Sequence, residues 1–151
     1  METSISEFNL QVRYQIYRHF ADYGTAPTYQ KIADLLNVEH ETVRICFHEL
    51  HEQHMIFLEP NSDSVRMANP FSAIPTDFKV KSGNKRWWAN CAWDTLGIAA
   101  ALNIDVKINA RYPGTEETVD LQVKDGIVDG KNHLVYFPLP VGRWYDDLIF
   151  T

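Results

Sequence analysis

The sequence predicts an α+β protein: a helical front half leads into a small antiparallel sheet packed on one further helix. Two observations carry that expectation. As far as His54 the apolar residues recur at the three-to-four-residue interval of helices, and from Val106 onward they alternate with the period of two that strands require. A proline-marked stretch, residues 69–75, separates the two regimes.

Phe8, Val12, Ile16 and Phe20 fall every four positions and form the apolar stripe of a first helix. Residues 22–27 interrupt it, after which Thr28 is placed to cap a short helix carrying Ile32, Leu35 and Leu36 inward. Asn37-Val38 makes a tight turn. A third helix is expected over residues 39–54, with Val43, Cys46, Phe47 and Leu50 on its buried face. Residues 55–58 read as a strand, residues 59–64 as a turn and residues 65–68 as the returning strand. Helix, helix-turn-helix and hairpin in that order describe a winged helix, assigned to residues 1–69.

Residues 70–81 are expected to be a surface linker ending in a short extended piece, and residues 82–151 a second α+β unit. Ser82-Gly83-Asn84 turns the chain, and residues 85–88 deliver it to a helix over residues 90–102. Asn90 is the expected N-cap and Asn103 the stop. Val106, Ile108 and Ala110 alternate, as do Val119, Leu121 and Val123. Asp125-Gly126 and Asp129-Gly130 then reverse the chain before a strand around residues 134–137. The closing run, residues 143–151, has no turn, cap or polar tail and reads as cut short.

Composition narrows the function classes. With 45% hydrophobic and 23% charged residues and 19 aromatic side chains, the 151-residue chain has the makings of a dense core. No run approaches the ~20 apolar residues of a membrane span, and the polar start has no signal-like apolar region, so the cytoplasm is the expected compartment. Cys46 and Cys91 are too few and too distant in sequence for a disulfide framework and should be free thiols. Of the formal charge of −6, residues 1–69 carry −5, with five Lys and Arg against ten Asp and Glu. The third helix offers Glu39, His40, Glu41, Arg44 and His48, which lacks the cationic surface that phosphates attract. Scaffold is therefore the reading preferred over DNA reader.

The one constellation with reactive potential is Cys91 with Asp94. Cys91 falls at the start of the predicted helix, where unpaired N–H groups and the helix dipole favour thiolate. Asp94, three residues on, lies above the same face and can exchange a proton with whatever the sulfur binds. Trp87, Trp88 and Trp93 should surround the pair with apolar surface and raise the carboxyl pKa. The plainer alternative is a small core cysteine beside an ordinary first-turn acid, and spacing alone favours it.

RWWANCAWDTLGIAAAL resembles the active-site helix of the organomercurial (alkylmercury) lyases, with Cys91 and Asp94 on the family's Cys-x-x-Asp pair. That family also sets a winged-helix-like unit before a small catalytic unit, so the similarity in layout covers nearly the whole chain. The resemblance implies protonolysis of a carbon–mercury bond, giving hydrocarbon and Hg(II) with no organic cofactor. Cys91 would be nucleophile and mercury ligand, and Asp94 the proton relay. The implied partners are a small organomercurial, low-molecular thiols and a mercuric reductase. The family's second cysteine follows a segment like RWYDDLIFT and falls due where this sequence ends, at Thr151. Three readings stay open: a lyase lacking its last elements, a winged-helix regulator or metal sensor that binds through Cys91 without turnover, or a degenerate relative with neither activity.

Other candidates are weaker. His48, His51 and His54 are three apart, whereas the zinc motif His-Glu-x-x-His needs four, so a solvated or wing-packing role is expected. Adjacent strand residues point to opposite faces, so at most one of Asp146 and Asp147 could face Cys91. The turn at residues 111–114 holds no cysteine and should bind no metal. Gly126 and Gly130 belong to turns rather than to a phosphate cradle.

Overall fold

The computed structural model describes residues 5–130 and 132–146. Helix α1, Glu7–Tyr23, starts at Ser6, whose hydroxyl accepts the Asn9 N–H at 3.0 Å, and stops at left-handed Gly24. Its buried stripe of Val12, Ile16 and Phe20 is the one the four-residue spacing predicts. Helix α2, Tyr29–Leu36, is capped by Thr28 as expected. Its inward face is corrected: Ile32 and Ala33 are buried, while Leu35 is 63% exposed. At 100° per residue, the stripe through Tyr29, Ile32, Ala33 and Leu36 leaves Leu35 on its far flank. Helix α3, His40–Glu52, buries Val43, Cys46, Phe47 and Leu50 as read from sequence.

Strands β1 (Phe57–Leu58) and β2 (Val65–Ala68) form the expected hairpin. The surface linker is overturned in part. Phe71–Ser72 forms a strand, β3, paired with β2 and buried, because Phe71 stacks on Phe20 at 5.4 Å with rings 7° apart. Strand β4, Phe78–Ser82, turns into β5, Lys85–Ala89, which sequence reading had treated as mere approach to the helix. Helix α4 spans Ala92–Leu102 and ends at left-handed Asn103. Strands β6 (Val106–Arg111) and β7 (Thr118–Lys124) follow the predicted alternation. The last reversal comes early: β8 is Ile127–Asp129 on β7, whereas residues 134–137 form no strand and Leu134 is 97% exposed.

Among the described residues eight strands form one antiparallel sheet in the order β1-β2-β3-β5-β4-β6-β7-β8. Cross-strand register puts Val80 beside Trp87 and Ile108, and Phe71 beside Ala89, on an inward face. These residues share a single core with Phe20 of α1 and with Ile98 and Ala99 of α4. Lys79, Lys81, Trp88 and Lys107 occupy the other face, the one-sided pattern of an antiparallel sheet exposed to water. No helix among the described residues is long and apolar enough to cross a membrane.

Phe71 joins the front helices to the sheet, so Phe71→Ala should lower unfolding stability by about 3–5 kcal/mol through lost burial and an uncollapsed cavity. Urea unfolding measures this, and a loss under about 1 kcal/mol would show that the stack is dispensable.

Candidate active site

Cys91 is placed by β5 and held at the mouth of α4. Strand β5 is paired on both sides, with β3 and β4, so the point at which the chain leaves the sheet is fixed. Cys91 follows in an extended conformation and takes the N-cap position. The cap expected at Asn90 thus moves one residue on. The physical reason is that the Asn90 amide is engaged elsewhere, donating to Asn69 Oδ1 at 2.9 Å and to Asp94 Oδ2 at 3.2 Å.

Asp94 is the third residue of α4, and its carboxyl turns back toward the helix start, within hydrogen-bonding reach of the Cys91 side chain. Both groups are partly buried. The sulfur is not sealed among hydrocarbon, and the acid does not face bulk solvent.

The electrostatics differ from the thiolate expectation. Burial first, then the charge of Asp94, push the Cys91 thiol above its ordinary value; the N–H groups of Asp94 and Trp93 pull the other way and do not prevail. A helix terminus contributes about 0.3–1 kcal/mol to a nearby charge, less than the several kcal/mol needed to remove an ion from water. Cys91 therefore rests as a thiol. Burial also raises Asp94, opposed by hydrogen bonds from Asn90 and Cys91.

The tryptophan enclosure is corrected as well. Trp87 turns into the core, where Nε1 donates to Phe20 O at 2.9 Å, and Trp88 lies on the opposite sheet face with the Lys79 ammonium 5.2 Å from its ring centroid. Trp93 is 55% exposed and meets Phe137 edge-on, and Phe137 in turn stacks on Trp144 at 5.5 Å. Pro70 and Gly97 crowd the acid instead. A Cβ at Gly97 would stand 3.1 Å from Pro70 Cβ and 4.0 Å from Asp94 Oδ1, so the missing side chain lets the proline approach α4 beside the carboxyl. Sequence reading missed Asn69, Pro70 and Gly97 and saw Asn90 only as a cap. Spacing carries no signal for contacts between residues some twenty positions apart.

The remaining candidates are occupied elsewhere. Cys46 is buried, donates to Asn9 Oδ1 at 3.0 Å and is pushed up to about 11 by burial and then by the charge of Glu49. His48 bonds Asp63 at 2.6 Å, His51 Nδ1 accepts the Leu58 N–H at 3.3 Å, and His54 stacks on Tyr145 at 4.2 Å. Among the described residues no group of three or more His, Cys, Asp and Glu could hold a metal. Asp146 pairs with Arg143 at 2.9 Å, and Asp147 lies outside the described residues.

The raised Asp94 pKa has a testable consequence. In the folded state the carboxyl holds its proton more tightly than when unfolded, so its contribution to stability is full below the ordinary carboxylate range and is lost as pH rises through the raised value. Asp94→Asn should therefore be more stable than the natural protein at pH 7, with the difference closing toward pH 3. Equal urea midpoints at pH 7, or a difference that grows on acidification, would contradict the burial argument.

Comparison with known proteins places the chain in a family. Residues 71–149, which span β3 to β8 and include Cys91 and Asp94, match the MerB alkylmercury lyase family model. The solved structure described as the mercury-bound form of MerB2 is similar in fold, with a TM-score of 0.69 at 24% identity. That alignment covers 84% of this chain and 61% of the other, so the protein spans about three fifths of that relative's length. No curated protein matches. With 79 of its 151 residues matched by the family model, this chain belongs to the alkylmercury lyase family.

Proposed function

We propose that the protein cleaves the carbon–mercury bond of small organomercurials by protonolysis, with Cys91 as the mercury-capturing group and Asp94 as the proton relay. The observation that carries this reading is the partly exposed Cys91 sulfur within hydrogen-bonding reach of a half-buried Asp94 carboxyl, on the motif that the family model spans.

The geometry suggests an order of events. Organomercury arrives bound to a low-molecular thiol, and the soft Cys91 sulfur displaces that thiol because mercury prefers sulfur to any oxygen or nitrogen ligand nearby. Forming the sulfur–mercury bond releases the Cys91 proton, and Asp94 is placed to take it. A thiolate from solution then adds to mercury and pushes electron density onto the carbon. Asp94 returns the proton to that carbon, the carbon–mercury bond breaks, and the hydrocarbon leaves with Hg(II) held by two sulfurs. A resting thiol suits this sequence, since the proton that ends on carbon is already in the site. Cys46, bonded within the α1–α3 contact, takes no part.

The first 69 residues are read as a winged-helix-like scaffold and residues 82–151 as the catalytic unit, joined through the sheet. On α3, Arg44 is bound by Glu41 at 2.6 and 2.7 Å and lies 3.5 Å from Asp63, so the helix offers phosphates little free positive charge. Free thiols suit a reducing compartment such as the cytoplasm.

Incubation with phenylmercury and excess low-molecular thiol should release benzene. Cys91→Ser should lose both capture and release, whereas Asp94→Asn should keep stoichiometric capture and lose release by about 10²–10⁴-fold, the usual contribution of a positioned acid. Mercury bound one per chain with no benzene formed would defeat the lyase reading in favour of a sensor.

A further inference from the structure

The Cys91–Asp94 pair has a support that its spacing does not require. Asn90 Nδ2 carries two hydrogens, and both are committed: one to Asn69 Oδ1 at 2.9 Å, the other to Asp94 Oδ2 at 3.2 Å. Turned over, the amide would set its oxygen against those two oxygens, so its orientation is fixed by its partners. Its own Oδ1 is buried without a protein partner. The amide is thus held for its donors rather than for its own satisfaction.

Asn69 reaches this point from the other side of the fold. It follows β2 and precedes Pro70, whose ring lies against Gly97 of α4. The end of β2, the end of β5 and the first turn of α4 therefore converge on one carboxyl. That convergence matters because an acid at the third helical position has a competing partner. It ordinarily reaches back to the backbone N–H of the N-cap residue, here Cys91.

We propose that Asn90, oriented by Asn69, is a positioning residue that holds the Asp94 carboxyl by Oδ2 and keeps its other oxygen directed at Cys91 and whatever Cys91 binds. The inference rests on the reading of Cys91 and Asp94 as the reacting pair. Without the amide, Asp94 turns to the helix backbone and proton transfer to the bound carbon slows, while mercury capture by Cys91 is untouched.

Asn90→Ala and Asn69→Ala, made singly and together in the full chain, test this with phenylmercury. Capture should remain one mercury per chain with KM within about twofold of the natural protein, while benzene release falls by at least about tenfold in Asn90→Ala and less in Asn69→Ala. The double variant should be no slower than Asn90→Ala, since both substitutions act through one carboxyl. Release at the natural rate from Asn90→Ala would overturn the inference.

A second readout is independent of turnover. A carboxylate held against the sulfur opposes the thiolate, so at one fixed pH iodoacetamide should alkylate Cys91 at least about threefold faster in Asn90→Ala, approaching the rate in Asp94→Asn. An unchanged rate overturns the proposal whether or not benzene is formed. Mercury capture without benzene in the natural protein would remove the lyase reading, and the alkylation rates would still decide where Asp94 is held. Asn69 is exposed, so Asn69→Ala carries the same two measurements should Asn90→Ala fail to fold, and unchanged values in both again overturn it.

Discussion

The site depends on one buried tryptophan. Trp87 Nε1 donates to Phe20 O across 67 residues of chain, fastening the end of α1 to the inward face of β5. Gly24 completes the joint: a Cβ there would come within 2.2 Å of Arg86 O, and its left-handed backbone is the C-cap of α1. Only glycine meets both demands without strain. Since β5 runs directly into Asn90 and Cys91, whatever anchors β5 also fixes the first turn of α4. The front helices therefore act on the chemistry at a distance, by setting where the strand ends.

At that strand end two acidic groups lie side by side in partial burial, an arrangement that works against stability. The fold tolerates it because the pair need not carry two charges: burial and the carboxylate both hold the thiol proton in place. Sites where environment pushes neighbouring groups away from their ordinary values are where acid–base chemistry is commonly found. In the proposed reaction the same effect stores a proton next to the sulfur, and mercury binding would be the event that frees it. An unperturbed thiolate at a helix terminus would capture mercury equally well but would bring no proton with it.

Periodicity made the helices legible, because a stripe such as Val12, Ile16 and Phe20 records local geometry that tertiary contacts only select. The paired strands β6 and β7 were legible for the same reason. What failed was non-local. Strand β3 is two residues long and exists because Phe71 finds Phe20 and Ala89, neither of which is near in sequence. Strand β5 alternates correctly, with Trp87 and Ala89 inward, but two adjacent tryptophans masked the pattern. At the site, the closeness of Cys91 and Asp94 was legible from their spacing, while the charge state of the thiol was not. Its sign follows from desolvation, which depends on how α4 is covered rather than on where the cysteine falls along it.

The distribution of charge gives the front unit its character. Like-charged Lys81, Arg86 and Lys107 sit directly opposite one another across β5, β4 and β6, on the face turned away from the helices. Residues 1–69 sum to −5, and there α3 pairs its Arg44 and His48 with Glu41 and Asp63. A DNA reader needs the reverse arrangement, with cations unpaired along its third helix and carboxylates kept away from it. In this molecule the apolar side of α1 meets the sheet through Phe20, and the polar side of α3 is taken up by Glu41 of the same helix and by Asp63 of the β1–β2 turn. Helices used in that way are a brace: they hold β3 and β5 in position, and through them the turn from which Cys91 emerges.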